Sequence, residues 1–125
     1  MYQPGNPSFV TISGAVIGEA AVDTGMKYVH TDGVVSPIFR KVLRLDATTS
    51  SLPNNTTKAV LHGETIALQK WCRVSALRAD NGTTIKTEKS AGISFDVNAT
   101  QVVVATTSDL TTYLRGVLVL EFCKS

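Results

Sequence analysis

The segment Leu114 to Cys123 is apolar at both odd and even positions: Val117 and Val119 stand on one parity, Leu118, Leu120 and Phe122 on the other. A strand sends alternate side chains to opposite faces. A strand that is apolar on both needs cover on both, inside a sandwich or against a second subunit. This closing run therefore limits the chain to layered architectures. A segment with helical caps and a 3.6-residue period is found nowhere in the 125 residues.

The remaining segments agree. Pro37 to Leu45 alternates Phe39, Leu43 and Leu45 with Arg40, Val42 and Arg44, and Ile93, Phe95 and Val97 alternate with Ser94, Asp96 and Asn98. Lys58 to Leu61 and Gln101 to Ala105 are short strand-like runs. Asp80-Asn81-Gly82 is the sharpest turn signal, because Asn-Gly supplies the positive φ angles of tight hairpins. Ile66 to Ala79 keeps no single period, but Cys72-Arg73-Val74-Ser75 tips it toward strand. Thr83 to Ala91 is polar and reads as a loop or an exposed strand. Short strands between regular turns predict an all-β fold, an antiparallel β-sandwich knob over residues 34–125. Residues 1–33, with Pro4, Pro7, Gly14 and Gly18 among small side chains, read as an extended N-terminal arm. Phe9, Val10, Ile12 and Val16 are its candidate docking residues.

Composition narrows the function classes. Charged residues make up 18% of the chain and net charge is +2, with basic residues scattered. Arg40, Lys41 and Arg44 flank Val42 and Leu43 within one strand, the pattern of a solvated face and not of a nucleic-acid site. Cys72 and Cys123 lie far apart without C-x-x-C or metal-ligand spacing, which predicts two buried free thiols in preference to a disulfide. The N-terminus has no basic start and no apolar block, and Phe9 to Val22 is too interrupted to insert in a membrane.

Several features resemble, in order, the C-terminal domain of bacteriophage tail-fibre and minor tail proteins. Pro37-Ile38-Phe39-Arg40-Lys41-Val42 resembles that family's opening strand. Leu52-Pro53-Asn54-Asn55-Thr56-Thr57-Lys58, with Val60 and His62-Gly63, is the nearest match. Val74 to Gly82, Thr107-Ser108-Asp109 with Thr112-Tyr113, and Val117 to Phe122 with Lys124 resemble its middle, penultimate and closing parts. The resemblance covers residues 38–124. Leu110 and Cys123 depart from it, standing where the family carries arginine and threonine, and so does the span Ile85 to Gly92. It implies a small β-sandwich in a homotrimer on a virion, in contact with other virion proteins and with a host surface glycan, and no enzyme. Val117, Leu118, Val119 and Leu120 are then the candidate subunit interface. Asn81, Thr83, Asp109, Thr112 and Tyr113 are the candidate outward recognition residues.

The short arm favours a capsid decoration protein over a tail-fibre or tail-tip receptor-binding protein. A stand-alone carbohydrate-binding module is the reading from another class. His62 has no nucleophile at readable spacing, so a hydrogen-bonding role is expected of it. Trp71, near a basic residue, has the makings of a sugar-stacking platform, but in a chain with few aromatics a core or interface filler is the first expectation. Tyr113 is expected to be exposed. The aspartates fall mostly in turns, where they cap their own backbone, and no cofactor or metal is expected.

Overall fold

The computed structural model describes residues 11–12, 15–16, 20–45 and 52–125. Its strands are β1 (Thr11–Ile12), β2 (Ala15–Val16), β3 (Val22–Val29), β4 (Val35–Arg44), β5 (Thr57–Leu61), β6 (Cys72–Asp80), β7 (Ile85–Thr87), β8 (Ile93–Val97), β9 (Gln101–Thr106) and β10 (Arg115–Phe122). They form a five-stranded sheet ordered β3-β4-β10-β6-β7, a three-stranded sheet ordered β5-β9-β8, and the separate β1–β2 hairpin. All pairings are antiparallel, and the two larger sheets make the β-sandwich that the alternation predicts.

The closing run owes its two apolar faces to its place. β10 is the middle strand of the larger sheet, paired to β4 on one side and β6 on the other. Leu118, Leu120 and Phe122 are fully buried in the main core with Leu43, Leu45, Leu77, Val102 and Val104. Val119 turns the other way, into a small cluster with Val42, Val22, Ala76 and Val117. β2 lies close to β4, and Cys123 joins Ile38, Ala67, Tyr28 and Trp71 in a third cluster. The cover on the second face is thus substantially supplied within one chain.

Two expectations change at the level of elements, and the loop-or-strand reading of Thr83 to Ala91 is resolved. The chain joins the larger sheet at Val22, not at residue 34: β3 pairs with β4 from Val22↔Arg40 to Val29↔Val35. Small and polar residues such as Asp23, Thr24 and Gly25 hid this strand, because an edge strand needs little core-facing bulk. Ile66 to Ala79 is one strand only from Cys72 onward. Ile66 bridges Lys124, and the amide of Ala67 donates to the Cys123 carbonyl, so the mixed period records two separate jobs. Within Thr83 to Ala91, the three residues of β7 form an edge strand and the rest are turns.

The Leu52–Gly63 run is a corner of the scaffold. Leu52 is fully buried. The Pro53 carbonyl accepts from the Leu110 amide and the Thr106 hydroxyl, Asn54 bridges Asp109, and the Asn55 amide donates to Ser108 at a positive φ of 49°. His62 closes the far end of β5. Its ring is 1% exposed, Nε2 lies 3.0 Å from the Asn98 carbonyl, and Nδ1 accepts the Glu64 amide at 3.1 Å. These two partners require the neutral tautomer with its hydrogen on Nε2. The Lys41 ammonium adds a bond to the His62 carbonyl at 2.6 Å and an ion pair to Glu64 at 3.0 Å.

Candidate functional site

The outer face of the larger sheet carries a shallow cavity of about 730 Å³, walled by β3, β4, β6 and β10. Side chains at even positions of β4 and odd positions of β10 turn to this face, which is why Arg40 and Glu121 meet there across the pair Arg40↔Glu121. Glu121 is 6% exposed and accepts a hydrogen bond from Arg40 through Oε2. Its Oε1 lies 3.9 Å from Nε of Arg73. A carboxylate this buried needs such cations.

One end of the cavity is aromatic. Tyr28 and Trp71 have ring centroids 6.4 Å apart, tilted by 39°, and the His30 ring stands edge-on to Tyr28. The Arg73 guanidinium lies 5.9 Å from the Trp71 centroid, within cation–π range. Trp71 Nε1 is buried without a hydrogen-bond partner among the described residues. Met26 and Lys27, from the irregular part of β3, complete the rim. Trp71 is therefore half-buried: it fills a small cluster on its inner side and lines a cavity on the other. The filler role expected from sequence thus accounts for one side of the ring.

The predicted recognition residues gather at one end of the sandwich, but much of their chemistry is spent there. Asn81 Oδ1 accepts the amides of Thr83 and Thr84, with Gly82 at a φ of 88°. Asp109 holds the Thr111 hydroxyl and amide, and these two bonds, the hydroxyl first, keep its carboxyl below the usual range. Tyr113 is a correction: it is 8% exposed, its ring belongs to the main core, and its hydroxyl bonds the Thr84 hydroxyl at 2.8 Å. Apolar contact on the ring and a single outlet for the hydroxyl suit a buried tyrosine. Thr83 and Thr112 remain exposed at this end.

Of the four predicted interface residues, Leu118 and Leu120 are 0% exposed in the chain's own core, which removes them from any surface. Val119 is 2% exposed and Val117 half-buried, both on the outer face. Phe9 and Val10 lie outside the described residues, while Ile12 and Val16 belong to the β1–β2 hairpin. The surface that sequence reasoning missed is the β3–β4 hairpin, where Met26, Val29, Val34 and Val35 are 44–63% exposed. Its signal lies in the valines flanking His30-Thr31-Asp32-Gly33, which a boundary at residue 33 divides between arm and knob.

The two cysteines are free thiols. Burial, and next the neighbouring Cys123, push the Cys72 thiol up, so it is a poor nucleophile. No family model, no curated protein and no solved structure matches the chain.

Proposed function

We propose that this chain is a non-enzymatic structural protein of a bacteriophage particle, a homotrimeric β-sandwich knob that decorates the capsid. The resemblance over residues 38–124 suggests the particle. The observation that carries the assembly is the β3–β4 hairpin: Val29 and Val35 pair across it, and with Met26 and Val34 they leave large apolar side chains in solvent. Contiguous exposed apolar surface on a small domain is the usual mark of a subunit contact. The hairpin replaces the closing strand as the proposed contact, since most of that strand is covered within the chain. Val117 and the β1–β2 hairpin flank the same sheet.

A tail-fibre or tail-tip receptor-binding protein is the second reading, favoured by the Tyr28–Trp71–Arg73 cavity, which has the makings of a ligand site. Light scattering on the full chain tests the assembly. A mass three times that of the 13.3 kDa chain is expected, and a monomer at high concentration overturns the trimer.

A further inference from the structure

We infer that the outer-face cavity binds an acidic saccharide, a sugar chain bearing carboxylates, with Arg73 as the group that grips the carboxylate. This deepens the receptor-binding reading of the cavity and does not depend on the assembly proposed above.

The charge balance comes first. Lys27, Arg40 and Arg73 line the cavity against one carboxylate, Glu121. Arg40 is committed to Glu121, and both are largely buried. Arg73 is held more loosely: its Nε forms a 3.9 Å ion pair with Glu121 Oε1 without a hydrogen bond, and its side chain is 53% exposed. A guanidinium whose donors make no hydrogen bond among the described residues, held at the rim by an aromatic ring and a loosely paired carboxylate, is shaped for a planar oxyanion. Burying Glu121 beneath it orients the site and leaves a net positive charge facing solvent.

The aromatic end sets the rest of the ligand. Tyr28 and Trp71 offer an apolar wall to the C–H face of a sugar ring. Polar groups beside an apolar wall, in a cavity of about 730 Å³, match a ligand with one hydrophobic and one hydroxyl-rich side. An acidic peptide added as a further strand is disfavoured by the neighbouring edge. β3 is the edge strand, but its register breaks between Asp23 and Lys27 and Gly25 takes a φ of 82°, so it presents no regular row of donors and acceptors.

Trp71 is the chain's single tryptophan, so its fluorescence reports this cavity directly. The full chain is titrated with oligogalacturonate, with a neutral dextran oligosaccharide of equal length, and with poly-glutamate. Saturable change with oligogalacturonate alone, weakened about tenfold or more in Arg73→Ala and only partly restored by Arg73→Lys, is the expected result. Circular dichroism confirms that both variants stay folded, as an exposed side chain allows. No saturable change, or equal binding by the Arg73→Ala variant, overturns the site. Equal binding of poly-glutamate overturns the saccharide and leaves a charge-only surface. Trimer mass is read separately, so failure here leaves the assembly proposal standing.

Discussion

His62 shows how one side chain can close a corner. Its ring joins the end of β5 to the Asn98 turn and to the Glu64 amide, and its carbonyl anchors Lys41 from β4. His62→Ala removes the partner of the part-buried Asn98 carbonyl and Glu64 amide and opens a void. A loss of about 2–4 kcal/mol, read from the urea midpoint, is expected. A loss within about 0.5 kcal/mol, the ordinary range of a surface substitution, would show that the corner holds without the ring. Glu88 gives the pH dependence. The Leu77 amide donates to its Oε1 at 3.1 Å, and this bond, first among the causes, holds its carboxyl below the ordinary value. A depressed folded pKa stabilises the fold above the unfolded value, about 4.3, and that contribution is lost as pH falls through the folded one. Asp109 acts in the same direction. Denaturation midpoints of Glu88→Gln between pH 6 and 2.5 should therefore fall less steeply than those of the unaltered chain. An identical slope would mean that the Leu77 bond does not distinguish folded from unfolded carboxylate.

At the scale of elements, strands with strict alternation were legible: β8 falls on Ile93–Val97 as expected, and β9 extends its run by one residue. β3 was not legible, because an edge strand with Gly25 in a register break carries neither alternation nor bulk. The outer cavity was legible only in part. Trp71 signalled it, but Arg73 was not singled out, and Glu121 and Arg40 are 81 residues apart and meet only through the pairing of β10 with β4. The misreading of Leu118 and Leu120 has the same root, since a two-faced apolar strand looks alike whether a sheet or a subunit covers it. The β3–β4 hairpin makes its own prediction. Its loop is built from the bonds His30 amide to Val34 carbonyl and Val34 amide to Asp32, which do not involve the exposed valine side chains. Val29→Asp with Val35→Asp should thus dissociate the proposed trimer to monomer while strand content by circular dichroism is kept. Retention of the trimer mass would place the subunit contact elsewhere.

For the whole molecule, the architecture divides labour between faces. The inner faces of the two sheets carry the core, and the end with Asn81 and Asp109 is tied by its own turns. The outer face of the five-stranded sheet, with the hairpin at its margin, brings the exposed Met26, Val29, Val34 and Val35 near the cations Lys27 and Arg73. A knob built this way is suited to sit on a larger assembly and to present one side. Antibody labelling of purified phage particles, viewed by electron microscopy, tests that claim most directly. Label spread over the capsid is the predicted result. Label confined to the tail would transfer the protein to the receptor-binding reading, and particles without label would contradict a place on the virion.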